Sequence, residues 1–148
     1  MFEKIIDKLR SVKQNDIMQT AVAELQDDIE VMNRDQMWKG KDSDGNQLQP
    51  FPYSSGTIRM KKKKGQPVDR ITLKDSGQFH DSIKAKALKK AVVIGSNRKA
   101  KGFDLANHLD NRYGEMASIY GLTDENMQKF FEKLRPIYLM QFKKATGI

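Results

Sequence analysis

The chain reads as an α+β protein, with helices at both ends and a small antiparallel sheet between them. Three observations predict this. Apolar residues recur at helical spacing near the N-terminus, at Phe2, Ile5, Ile6 and Leu9. They do so again near the C-terminus, at Met127, Phe130, Phe131, Leu134, Tyr138 and Phe142. Between them, Ala91-Val92-Val93-Ile94-Gly95 is β-branched and closed by glycine, as strands often are.

At 148 residues the chain reads as one domain, large enough to bury a core of its own. Residues 2–37 are expected to be helical. The apolar stripe slips phase at Gln14-Asn15-Asp16 and resumes at Met18, Val22, Leu25, Ile29 and Met32. Asp16 with Gln19 could form a capping box there, giving either two helices or one long helix with a break. Residues 38–69 read as loop-rich, because Gly40, Gly45, Pro50, Pro52, Gly56, Gly65 and Pro67 punctuate them. Residues 70–96 read as β-rich. Arg70-Ile71-Thr72-Leu73 suggests a short strand, and Ile83–Leu88 with Val92–Ile94 suggests a β-hairpin. Residues 103–146 return to helix. A short helix should run from Phe103 to Tyr113 and stop at Gly114. A longer helix should start at an N-cap on Thr123 and kink at Pro136.

Composition narrows the chemistry. With no cysteine, disulfides, thiol nucleophiles and thiolate metal sites are excluded together. The absence also fits a reducing compartment. Charges in Met1–Asp7 leave no room for a secretory leader, and no apolar run approaches the roughly 20 residues of a membrane span. A soluble, unprocessed protein without membrane contact is expected. Asp42-Ser43-Asp44-Gly45-Asn46 opens like a calcium loop, but Gln47 and Tyr53 stand where an EF-hand needs Gly and Glu. A turn is expected instead. His80 and His108 are too few and too separate to suggest a metal site. No nucleophile elbow, phosphate loop or dinucleotide fingerprint occurs. No catalytic residue, cofactor or metal is therefore assigned.

Charge is the informative property. The overall charge is +8, yet residues 56–101 alone carry +11. A basic centre between mildly acidic ends suggests an anionic partner, either nucleic acid or an acidic protein face. Arg59, Lys61, Lys62, Lys63, Lys64 and Arg70 are the candidate contacts to DNA or a partner. Lysines of this kind give sequence-independent, salt-dependent binding to phosphates. The other reading of the run is a solvated or protein-facing loop. Trp38, Phe51 and Tyr53 are candidate docking residues, and the two nearest the lysines could stack on unpaired bases.

An ordered series of short motifs carries a family resemblance. It begins with Trp38, a turn-rich spacer, Pro52-Tyr53-Ser54, Thr57 and Lys61. Gly65-Gln66-Pro67, Asp69-Arg70-Ile71-Thr72-Leu73, Asp75-Ser76-Gly77-Gln78-Phe79 and Ser82-Ile83 follow, then the hairpin ending Ile94-Gly95-Ser96. Together these resemble the tail-completion, virion-morphogenesis and head–tail joining proteins of tailed bacteriophages. One segment departs from the pattern, because Ala106, His108 and Gly114 are not spaced as in many members. The resemblance implies an α+β fold with helices packed on a small sheet. It further implies a homo-oligomeric ring, docked to other phage tail or connector proteins. The place implied is the virion, assembled in the bacterial host cytoplasm, and the resemblance implies no catalytic residues.

Overall fold

The computed structural model describes residues 2–49, 51–100, 102–113 and 117–148. The fold is α+β, as the two periodicities predict. In chain order it runs α1 (Phe2–Ser11), α2 (Gln14–Ala23), α3 (Gln26–Trp38), α4 (Ser55–Lys63) and α5 (Gln78–Asp81). Then come β1 (Lys84–Ala87), β2 (Val92–Gly95), β3 (Lys99–Ala100), β4 (Phe103–Asp104), α6 (Leu105–Tyr113) and α7 (Asp124–Thr146). Pro50, Lys101 and the expected helix stop at Gly114 lie outside the described residues.

The N-terminal region is three helices, where one or two were expected. The first break falls at Val12–Lys13, slightly before the phase slip. Asp16 makes no capping box. Its amide already donates to the Lys13 carbonyl at 2.9 Å, so the residue sits inside the first turn of α2. There its charge favours the positive helix end. A second break at Glu24–Leu25 has no glycine or proline behind it. Leu25 leaves helical geometry at φ −107°, and its side chain is buried at the bend.

The expected hairpin forms. β1 and β2 pair antiparallel with Ala85 opposite Ile94 and Lys86 opposite Val93. A second, shorter antiparallel pair joins β3 to β4. Two apolar clusters organise the molecule. In the first, Ala21, Val22, Leu25 and Ile29 of the N-terminal helices meet Phe130 and Leu134 of α7 over Ala85 and Ala87 of β1. The second gathers Met37, Leu48, Ile71, Phe79, Ile83, Ala106 and Ile119. Ile94 of β2 packs against both. Each fully buried Ile or Leu contributes about 1.5–3 kcal/mol of transfer free energy.

α7 starts as expected, with Thr123 Oγ1 accepting the Asn126 amide at 3.4 Å. The helix continues through Pro136 to Thr146. Its aromatic stripe divides: Phe130 is core, while Phe131 is 56% exposed.

The middle of the chain departs most from expectation. The loop-rich stretch contains α4, with Ser54 as its N-cap accepting the Thr57 amide at 3.3 Å. Gly56 sits in the first helical turn. Arg70–Leu73 joins no strand among the described residues, and Leu73 leaves strand geometry at a positive φ. The side chains that replace a strand partner are those of the candidate site.

Candidate docking cleft

Thr72 is the hub of the site, fully buried, with its polar groups bonded to side chains rather than to a sheet. Its N–H donates to Tyr53 Oη at 2.9 Å. Its carbonyl lies 2.8 Å from His80 Nε2, which must therefore carry the proton. Its hydroxyl oxygen accepts from Lys61 Nζ at 3.1 Å. Backbone groups satisfied in this way need no ladder, which is why the expected strand at Arg70–Leu73 does not form.

Lys61 is the main correction to the sequence reading. It was expected at a partner or DNA surface, yet it is only 8% exposed. Its ammonium donates to the Lys74 carbonyl at 2.9 Å, to Gln66 Oε1 at 3.1 Å and to Thr72, so its three N–H groups are spent internally. It also lies 5.0 Å from the centre of the Tyr53 ring. Burial holds the ammonium below the usual lysine pKa, helped by the Lys64 charge and opposed by Asp75.

The other expected contacts separate into two groups. Arg59, Lys62 and Lys63 are exposed on α4. The lysines of the run stand in the last turn, where the helix dipole favours cations. Lys64 is exposed but paired with Asp75. Arg70 is half-buried and structural. Its Nε donates to the Trp38 carbonyl at 2.9 Å, and its Nη1 lies 2.9 Å from Asp69.

The expected docking aromatics are likewise built in. Trp38 ends α3 half-buried, with Lys74 Nζ 5.0 Å over its ring. Phe51 packs against the second apolar cluster and meets Tyr53 edge-on at 6.3 Å. With Lys61 over its ring and its hydroxyl bonded to Thr72, Tyr53 is not an open platform for a base. Burial raises the Tyr53 phenol pKa, against the Thr72 hydrogen bonds that lower it.

Between α4, the 71–79 segment and α6 lies a cleft of about 400 Å³. Tyr53, Ile71, Leu73, Phe79, Leu105 and Leu109 supply its apolar floor, and Lys74, Gln78 and Arg98 stand at its polar rim. Arg98 bonds Gln78 across that rim. Leu73 adopts φ +52°, the left-handed conformation that β-carbon sterics disfavour. Such residues are held by their surroundings and collect at functional sites. Gly77, at φ +95°, turns the chain into α5 and so places Phe79 in the floor. Leu73 belongs to the motif series, but nothing in the sequence joins it to Leu105 and Leu109 of α6. Their spacing marks them only as apolar, and the 71–79 segment and α6 must fold together before they meet.

The remaining candidates settle as structural groups. Asp42 Oδ1 accepts the amides of Asp44 at 3.0 Å and Asn46 at 2.9 Å, so the calcium-like segment is a carboxylate-stapled turn. His108 packs edge-on to Phe103 at 5.7 Å. Among the described residues no helix is long and apolar enough to cross a membrane. No protein-family model, curated protein or solved structure matches this chain.

Proposed function

We propose that this chain is a non-catalytic structural subunit of a tailed-phage or prophage particle, of the tail-completion or head–tail connector type. One observation carries the reading. The residues behind the phage resemblance run from Trp38 to Ser96, and six of those between Tyr53 and Phe79 converge on a single cleft: Tyr53, Thr57, Lys61, Leu73, Gly77 and Phe79 line it. A motif series selected for docking would be expected to gather in this way. The apolar floor would hold a partner's apolar side chain, and a mixed rim of Lys74, Asp75, Gln78 and Arg98 would pair with its polar groups.

Assembly into a homo-oligomeric ring is the second part of the reading. A head-to-tail ring needs two unlike patches on each subunit. Two separate apolar surfaces are open here. One is Ile5, Ile6 and Leu9 on α1, and the other is Met127 and Phe131, one turn apart on α7. The place of action is then the virion, assembled in the host cytoplasm with other tail or connector proteins.

The decisive experiment is quantitative mass spectrometry of particles from the phage or prophage that encodes the chain. A fixed copy number per particle is expected, and deletion should leave heads and tails unjoined or tails unfinished. Infective particles that lack the chain would overturn the reading.

A second reading, a basic nucleic-acid-binding accessory protein, rests on Arg59, Lys62 and Lys63, which remain exposed on α4. It requires DNA affinity that falls steeply with salt and collapses when those three residues become Gln. Because Lys61, Lys64 and Arg70 are engaged internally, the cationic surface is smaller than the sequence suggested.

A further inference from the structure

The hairpin has two edges, and the chain treats them differently. The β1 edge is closed by helix side chains. Glu30 Oε1 accepts the Ala85 amide at 3.0 Å, and Gln26 Oε1 accepts the Ala87 amide at 3.0 Å. Gln19 Nε2 donates to the Ala87 carbonyl at 3.2 Å. Because Ala85 and Ala87 face the helices, Lys84 and Lys86 face β2. Their register partners Gly95 and Val93 must then face β1. The Leu88 amide continues that parity, donating to the Ala91 carbonyl at 2.8 Å.

It follows that the N–H and C=O groups of Val92 and Ile94 point away from β1. Among the described residues nothing bonds to them. Val92 and Val93 are also exposed, Val93 at 51%. Proteins usually blunt such an edge, and a two-stranded ribbon alone is marginal.

We propose that the outer edge of β2 takes an extended acidic segment of another protein as a third strand. Charge selects this occupant. Residues 82–103 contain Lys84, Lys86, Lys89, Lys90, Arg98, Lys99 and Lys101 and no Asp or Glu. Lys84 and Lys89 are paired with Glu30 and Asp16, whereas Lys86 stands beside Val93 in the register. Acidic side chains on an added strand would lie roughly two strand spacings, about 10 Å, from Lys86, just beyond the roughly 8 Å screening length at physiological salt, so the attraction should grow as salt falls. A second copy of β2 would instead bring the same cationic ribbon against itself. DNA fits less well, because the outward carbonyls of Val92 and Ile94 need donors and phosphates offer none. This inference stands on the hairpin alone and does not depend on the phage reading.

The test uses the full chain and two acetylated nine-residue peptides, one alternating valine with glutamate and the other alternating valine with lysine. The glutamate peptide should bind at least tenfold tighter, with the largest amide shifts at Val92 and Ile94. Val92→Pro removes one outward N–H and should abolish binding while thermal unfolding stays near wild type. Should that variant unfold, Lys86→Glu decides, because it should narrow the preference for the glutamate peptide. No binding by the glutamate peptide, equal binding of the two, or shifts confined to other residues would overturn the proposal. So would short duplex DNA that displaces the peptide and moves the same amides.

Discussion

Lys61 Nζ lies 3.1 Å from Thr72 Oγ1, so a lysine from the most cationic run in the chain is a bolt inside the protein. The contact ties α4 to the segment that floors the cleft. Its loss should therefore appear as instability rather than as weaker binding.

Replacing Lys61 with Met would leave the Lys74 carbonyl without its donor and strip Thr72 and Gln66 of theirs. A cost of about 2 kcal/mol is expected, within the range for buried groups left unpaired. Lys62→Gln and Lys63→Gln should change stability by less than about 0.5 kcal/mol, as ordinary surface changes do. Urea denaturation of the three variants checks this.

His80 gives the fold a pH dependence. Burial holds its imidazole below the usual 6.5, and the Lys74 charge adds to this, against the Thr72 hydrogen bond. The unfolded chain therefore takes up the proton first as pH falls. Stability should be full above about pH 6.5 and decline below it, until the folded state protonates too. His80→Gln should flatten that slope between pH 7.5 and 5. Thermal melts across the range read it directly.

Glu30 works at a lower pH; its pKa is also depressed, but because its charged form is favoured rather than penalised. Burial pushes its carboxyl up, but the Ala85 amide, Lys84 and Arg34 together hold it below the usual value of 4.5. Its contribution is present above that value and lost as pH falls through the depressed one. Glu30→Ala should cost about 2 kcal/mol at pH 7, since it leaves the Ala85 amide unpaired. Glu30→Gln keeps an acceptor there and should cost less. Chemical denaturation at pH 7 and pH 3.5 separates the two effects.

Gly121 marks a close approach. A β-carbon there would lie 2.8 Å from Ser43 Cβ, and φ is +139°. The Gly121 carbonyl also accepts Asn33 Nδ2 at 2.7 Å and Gln36 Nε2 at 3.2 Å. Gly121→Ala should therefore destabilise by about 2 kcal/mol, as overpacking with backbone strain does. The shift in unfolding midpoint measures it.

What was legible in the sequence followed from local rules. The hairpin and the Thr123 cap rest on β-branching and N-cap chemistry, which act within a few residues. The bend at Glu24–Leu25 was illegible because it is set by burial of Leu25, not by a breaker. α4 was hidden by Gly56 and by a lysine run that looked like a solvated loop. Lys61 was illegible too, because its burial depends on Thr72, Lys74 and Gln66 closing around it. Arg70–Leu73 has strand composition, but side-chain partners at Thr72 outcompete a ladder. The cleft needs three distant segments at once, so its motif residues, Leu73 among them, could be picked out beforehand, but not their meeting with Leu105 and Leu109.

Ile94 is a single side chain shared by two cores. Neither cluster can loosen without exposing part of it, so the two halves should unfold as one cooperative unit. Ile94→Ala would weaken that coupling. A single calorimetric transition should then broaden or split, with the α2–α3–α7 half separating from the half around Thr72. β2 is thus the hinge pin of the molecule's cooperativity, and whatever docks on its edge would grip both halves at once.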